Sequence, residues 1–200
     1  MNSRVVWLVP ALVTVLASPA WAHPQHLHGP GMEHGLAAGF LHPLLGLDHL
    51  LAMFAVGLLA AQLGGRAIWL LPASFLGAML IGGGLGMSGL GLPGMGIGVA
   101  LSVVALGVAL AVGKKYPLVA AALIVGLFGI THGHSHGTEL LTMTAPALYG
   151  LGFVAATFGL NVTGLGLGLM FLHWQRDRFI LRVSGAAISL AGLVILWNAV

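Results

Sequence analysis

Long apolar runs dominate this chain, and short stretches that carry glycine, proline and charged residues separate them. A helix that crosses a bilayer needs about 20 mostly apolar residues, so each run is a candidate span. The pattern predicts spans at Leu36–Leu63, Ile68–Met87, Met95–Val112, Pro117–Thr131, Thr142–Leu160 and Phe179–Trp197. We therefore expect an all-α fold, a polytopic membrane helix bundle of about six transmembrane helices. The glycines of 164–168 leave open a break after the fifth span.

Composition supports a membrane environment. Of the 200 residues, 58% are hydrophobic and 6% are charged, which is too little polar surface for a soluble globule of this size. The seven Lys and Arg residues are scattered and form no basic stripe, so we expect the lipid bilayer and no nucleic acid as a partner. The absence of cysteine excludes thiolate metal sites and cysteine nucleophiles.

The N-terminus is typical of a bacterial secretory signal peptide. Residues 1–22 have a positive start, an apolar run and an Ala-Trp-Ala cleavage site. An uncleaved first span is the alternative, but the run is short, Pro10 interrupts it, and a polar segment follows. We expect a His-rich periplasmic arm at 23–35 and a six-helix transmembrane domain at 36–200. Cleavage would expose the α-amine of His23, which could chelate a metal together with its own imidazole.

The loop charges predict the orientation of the bundle. Lys and Arg collect on the cytoplasmic side of short loops. If the mature N-terminus is periplasmic, one end of the bundle receives every basic residue after Arg4, namely Arg66, Lys114, Lys115, Arg176, Arg178 and Arg182. This bias and the signal peptide independently indicate that both termini lie outside.

A first polar cluster interrupts the apolar run that begins at Leu36. His42 and His49 are nearly two helical turns apart, so in an unbroken helix they would project from one face about 10 Å apart and could not share an ion. Gly46 could permit local unwinding, or each histidine could belong to a separate station on a path. A carboxylate such as Asp48 must be paired, coordinated or protonated in an apolar run. Its structural alternative is to bridge a neighbouring helix, with His49 as its partner.

A second polar cluster follows the fourth predicted span. In a helix, His132, His136 and Glu139 would share one stripe. Two imidazoles and a carboxylate are suitable ligands for a borderline divalent ion such as Ni(II), Co(II) or Zn(II). The neighbouring glycines leave open a solvated His-rich loop instead, and His134 would face elsewhere. The candidate metal ligands are thus His23, His42, Asp48, His49, His132, His136 and Glu139. Deeper in the fifth span, Thr157, Asn161 and Thr163 could line a pathway or simply form hydrogen bonds between helices.

The two clusters resemble the signature of the HupE/UreJ family of nickel permeases, some of which carry cobalt. The matching segments are His42-Pro-x-x-Gly-x-Asp48-His49-x-x-x-Met53 with Val56-Gly57, and His132-Gly-x-x-His136-Gly-x-Glu139. This resemblance implies a protein of the bacterial inner membrane that takes up Ni(II) or Co(II) for hydrogenase, urease or cobalamin-dependent enzymes. It also implies metal-handling roles for the cluster residues, whereas His134 is additional to the pattern.

We therefore expect a transporter rather than an enzyme, with no permanently bound cofactor and with Ni(II) or Co(II) as its substrate. His23, His26 and His28 would collect the ion, and the two clusters would pass it inward. No Walker motif is present, so the energy would come from the membrane potential, an ion gradient or downhill diffusion. A membrane haem protein with two histidine ligands and a proton or solute carrier that uses the same residues are the alternatives. An intramembrane metalloprotease is disfavoured because no His-Glu-x-x-His occurs.

Overall fold

The structure is a computed structural model that describes residues 35–141, 143–175 and 178–200, with residues 174 and 175 described by their backbone only. Every regular element in these ranges is helical, which confirms the all-α prediction. The helices are α1 (Leu36–Leu45), α2 (Leu47–Leu63), α3 (Ala67–Met87), α4 (Met95–Val112), α5 (Leu118–Leu140), α6 (Pro146–Gln175) and α7 (Phe179–Ala199). The signal peptide predicted over 1–22 and the arm histidines lie outside the described residues.

Among the described residues, five helices, α3 to α7, are long and apolar enough to cross a membrane. Together, α1 and α2 meet the same criteria, but their axes are bent by 82°. The predicted all-α membrane bundle is therefore confirmed, with five candidate spans, and with a sixth if the bent pair is one broken span. Large apolar side chains cover the outside of the bundle, among them Trp69 and Leu123, which are 77% and 69% exposed. Such a surface suits lipid rather than water.

Two helices are longer than the apolar pattern predicts. α5 continues past Thr131 to Leu140, and α6 continues past Leu160 to Gln175 without the break considered at 164–168. A Cβ atom at Gly164 would collide with the backbone of Phe54 in α2, and a Cβ at Gly168 would crowd the side chain of Ala61. These glycines therefore allow α2 and α6 to pack closely, as small residues do between membrane helices.

Helix α2 occupies the centre of the bundle. It packs against α3, α4, α6 and α7. Most of its residues between Ala52 and Gln62 are buried, with Phe54 partly buried. A helix that is apolar on all sides is expected to be surrounded by other helices. The polar residues at the two ends of α2 are consequently enclosed by protein.

The described basic residues lie at one end of the bundle. Arg66 precedes α3, Lys114 and Lys115 lie between α4 and α5, and Arg178 precedes α7. Arg182 donates a hydrogen bond from Nε to the carbonyl of Ala111 at 2.9 Å, which joins the start of α7 to the end of α4. Helices α3 and α5 both begin at this end, because Phe75 and Met79 in α3 lie against Gly129 and Gly133 in α5 in the same order.

Candidate metal site

The two polar clusters come together at the end of the bundle opposite the basic residues. The first cluster lies at the junction of α1 and α2, and the second lies in the last turns of α5. Their meeting is direct, since the Nε2 atoms of His49 and His136 are 2.5 Å apart. The structure therefore joins residues that are 87 positions apart in the chain.

A break at Gly46 allows both histidines of the first cluster to reach this meeting point. Gly46 has an extended backbone, with φ −79° and ψ 111°, and its N–H donates to the carbonyl of His42 at 3.0 Å. The bend brings the ring centroids of His42 and His49 to 5.7 Å. The break is the local unwinding at Gly46 that the sequence left open as one of two alternatives, and it removes the separation of about 10 Å that an unbroken helix would impose.

The second cluster is helical, and the alternative of a solvated loop is wrong. His132, His134 and His136 are 0%, 1% and 6% exposed. The glycines that weakened the helix prediction serve packing instead. A Cβ atom at Gly133 would collide with the carbonyl of Met79, and one at Gly137 would collide with that of Gly83. The backbones of α3 and α5 are therefore close enough to bury the histidines between them.

Three imidazoles form the centre of the site. One ring nitrogen from each of His42, His49 and His136 lies within 4.8 Å of the other two. The His136 ring centroid is 4.6 Å from that of His42 and 4.5 Å from that of His49. Metal–nitrogen bonds are about 2.0–2.1 Å long, so an ion could contact all three rings after shifts of under about 1 Å. The arrangement has the ligand type and spacing that a borderline divalent cation requires.

Each carboxylate contacts the ring of a histidine close to it in sequence. Asp48 Oδ1 lies 2.6 Å from His49 Nδ1 and accepts a second hydrogen bond, of 2.8 Å, from the His49 backbone N–H. Glu139 Oε2 lies 3.1 Å from His136 Nδ1. In both pairs the carboxylate meets Nδ1, while Nε2 faces the other histidines. Carboxylate–histidine pairs of this kind orient the ring and raise its basicity as a metal ligand.

His132 lies beside this group, one helical turn deeper in α5 than His136. Its Nδ1 donates to the carbonyl of Phe128 at 2.8 Å, and its ring centroid is 5.2 Å from that of His49. Among the described residues, its buried Nε2 has no hydrogen-bond partner. His132 therefore extends the candidate site inward.

The other sequence candidates lie elsewhere. His134 faces away, as expected, and its Nε2 donates to the carbonyl of Leu90 at 2.6 Å, which ties α5 to the segment between α3 and α4. His23 lies outside the described residues. Aromatic residues at the start of α6, which the sequence analysis did not identify, complete the wall. The Phe153 ring is 4.5 Å from that of His136, and the Tyr149 ring is 5.9 Å from that of His42.

Two buried amides lie deeper in the bundle. Gln62 in α2 is a polar residue in an apolar run, which is the same sequence signal that identifies Asp48. Asn161 in α6 is the residue whose sequence position suggests a pathway or a hydrogen bond between helices. Gln62 and Asn161 are 2% and 0% exposed. Neither side-chain amide has a hydrogen-bond partner among the described residues.

Fold and site together define a helical membrane protein with a buried cluster of histidines and carboxylates. The comparisons with known proteins give the family. The model of the HupE / UreJ protein family matches residues 11–195, and this chain belongs to that family. Protein HupE of Rhizobium leguminosarum bv. viciae is 42% identical over 185 residues, which cover 92% of this chain and 96% of that relative. No solved structure matches the chain significantly.

Proposed function

We propose that this protein carries a divalent transition-metal ion, Ni(II) or Co(II), across the bacterial inner membrane into the cytoplasm. The observation that carries the proposal is the convergence of three imidazoles from α1, α2 and α5, with ring nitrogens within 4.8 Å of one another, inside a bundle of apolar helices. Ionisable groups in a membrane are expensive and are functional by default. Membership of the HupE/UreJ family agrees with this proposal.

In this proposal His42, His49 and His136 bind the ion, and Asp48 and Glu139 orient two of the rings and offset the charge of the cation. His132 receives the ion on its inward side. The predicted arm, with His23 at the processed N-terminus, would collect ions in the periplasm. The basic end of the bundle would face the cytoplasm, as the positive-inside rule requires. The membrane potential would then favour inward movement of the cation.

Uptake of radiolabelled Ni(II) by cells that express the protein tests the proposal. We expect His49→Ala and His136→Ala to abolish saturable uptake at equal membrane abundance, because each change removes an Nε2 ligand. His173→Ala is the matched control, since His173 is an exposed imidazole at the other end of α6, and it should retain uptake. Competition with Co(II) and Zn(II) identifies the preferred ion. Wild-type uptake by both site variants would contradict the proposal.

A proton or solute carrier that uses the same residues is the second candidate, favoured by the two carboxylate–imidazole contacts at 2.6 and 3.1 Å. It differs from a metal carrier in one measurable way. Binding of an ion to the native state raises thermal stability in proportion to the logarithm of ligand concentration. Ni(II) should therefore raise the melting temperature of the purified protein, and His49→Ala should remove this effect. An unchanged melting temperature in Ni(II) would favour the proton or solute carrier.

A further inference from the structure

We propose that Asn161 and Gln62 form the inner half of the ion route, a pair of amide stations between the histidine site and the basic end of the bundle. The inference rests on the proposed function and adds the residues that conduct the ion after it leaves the imidazoles. Its substrate is the same partly hydrated divalent cation. The ligands it assigns are the side-chain amide oxygens, together with water.

Both amides lack hydrogen-bond partners among the described residues. All four polar side-chain atoms, Asn161 Oδ1 and Nδ2 and Gln62 Oε1 and Nε2, are buried without a hydrogen bond among the described residues. A buried amide without a partner is destabilising, and membrane proteins bury polar groups mainly where they are paired or functional. Ser102, by contrast, is a buried polar residue that is paired, because its hydroxyl donates to the carbonyl of Val99 at 2.6 Å. The two amides are therefore suited to contact water or an ion.

Asn161 continues the site inward along α6. Phe153, Thr157 and Asn161 follow one another at intervals of four residues and so share one face of the helix. Phe153 contacts His136, and the buried Thr157 lies with its Oγ1 3.9 Å from the sulfur of Met79. Asn161 is then about 12 Å deeper than Phe153, because a helix rises about 1.5 Å per residue.

Gln62 lies deeper still, on α2, the helix that packs against this face of α6. α2 and α6 run in the same direction, with Gly57 against the carbonyl of Asn161 and Ala61 against Gly168. Gln62 is five residues beyond Gly57, which is about 7.5 Å closer to the basic end. Only Leu63 follows it in α2 before the loop that contains Arg66. Asn161 and Gln62 therefore lie at successive depths between the imidazoles and the cytoplasmic end proposed above.

The chemistry of the two stations suits release. Imidazole is a strong ligand for Ni(II) and Co(II), whereas amide oxygen and water hold these ions more weakly. Conduction requires sites that bind an ion well enough for entry and weakly enough for departure. Imidazoles at the outer end followed by amides at the inner end provide this gradient of affinity.

The test measures transport and binding separately in Asn161→Leu and Gln62→Leu. We expect the initial rate of Ni(II) uptake to fall about tenfold in each, since a contact with a charged group is lost. Ni(II) affinity of the purified protein should be unchanged, because the three imidazoles remain. The melting temperature should be equal or higher, because an apolar group replaces an unpaired buried amide. Ser102→Ala, buried but hydrogen-bonded, and Thr163→Val, exposed on α6, are controls that should transport normally.

Three other outcomes would overturn the inference. Normal uptake in both leucine variants would show that no ion contacts the amides, while leaving the proposed function intact. A lower melting temperature together with weaker Ni(II) binding would show a structural role instead. If the leucine variants do not accumulate in the membrane, Asn161→Asp and Gln62→Glu are measured instead, because they keep the shape of the side chain and add an anionic oxygen. These variants should then lower the KM for Ni(II) and slow turnover, and unchanged kinetics would contradict the inference. Absence of saturable uptake by the wild-type chain would instead remove the proposed function itself.

Discussion

Asp48 and Glu139 make similar contacts with imidazole rings but differ in how far they are exposed to solvent. Each meets the Nδ1 atom of a histidine, but the Asp48 side chain is 15% exposed and that of Glu139 is 50% exposed. A carboxylate at Nδ1 favours the tautomer whose lone pair is on Nε2, which is the atom a metal needs. Water screens the more exposed pair, so Asp48 should contribute more to binding than Glu139.

Substitution of the two carboxylates by amides tests this order. Asp48→Asn keeps the shape of the side chain but removes its charge, and loss of such a partner typically lowers metal affinity about 10- to 100-fold. Glu139→Gln should lower the affinity less. Titration calorimetry of the purified variants with Ni(II) measures both effects. An equal or larger loss in Glu139→Gln would contradict the assigned order.

The amino-acid sequence indicated the residues of the site better than their roles. The free-energy cost of burying an ionisable group in a membrane identified Asp48 and the histidines, because such a group in an apolar run is functional by default. Whether a carboxylate contacts the ion or the ring of a ligand depends on rotamers and on the distance between α2 and α5. Neither is encoded in the spacing of the residues, so the sequence placed Asp48 and Glu139 in the candidate ligand set without deciding between coordination, pairing and charge compensation.

At the scale of the elements, the break between α1 and α2 makes a shared site possible. Helical spacing predicts that His42 and His49 stay about 10 Å apart. The presence of Gly46 is not enough by itself to predict a break in the helix. Packing explains the bend between α1 and α2, because α1 lies across the first turns of α6. Gly39 contacts the backbone of Tyr149, and Gly152 contacts that of Leu36. Such contacts between distant segments are invisible in local sequence patterns, as they were for the glycines of α5.

Gly46→Ala tests the importance of the break. A Cβ atom at this position would lie 3.1 Å from His49 Nδ1 and 3.2 Å from Asp48 Oδ1, so it would press on that pair. Alanine also favours a continuous helix by about 1 kcal/mol over glycine. We expect Ni(II) affinity to fall about tenfold, as a change of about 1.4 kcal/mol would produce, with unchanged helix content by circular dichroism.

Gly77→Ala in α3 is the matched control for this substitution. A Cβ atom there would meet nothing within 4 Å, so the change adds helix propensity without crowding the site. We expect wild-type affinity in this variant. If Gly46→Ala binds Ni(II) as tightly as Gly77→Ala does, the bend does not depend on glycine.

At the scale of the whole molecule, the number of spans followed from the thickness of the bilayer, which forces apolar runs to similar lengths. Bilayer thickness does not determine which helices pair with one another. Close contacts between glycines and facing backbones join α3 to α5 and α2 to α6, each pair parallel, and such contacts depend on surfaces that a hydropathy pattern does not resolve. The same architecture separates the histidine site from the basic end.

The absence of cysteine allows the orientation of the whole bundle to be measured directly. Ser88→Cys introduces a thiol in the exposed segment after α3, at the end that carries the histidine site, and Lys115→Cys introduces one at the basic end. With the basic end in the cytoplasm, a membrane-impermeant maleimide applied to the periplasmic face should label only the Ser88 variant. Permeabilisation should then expose the Lys115 variant, and the cysteine-free wild type should stay unlabelled throughout. The reverse pattern would direct the histidine site toward the cytoplasm and contradict the proposed order, in which the ion meets the imidazoles before the amides.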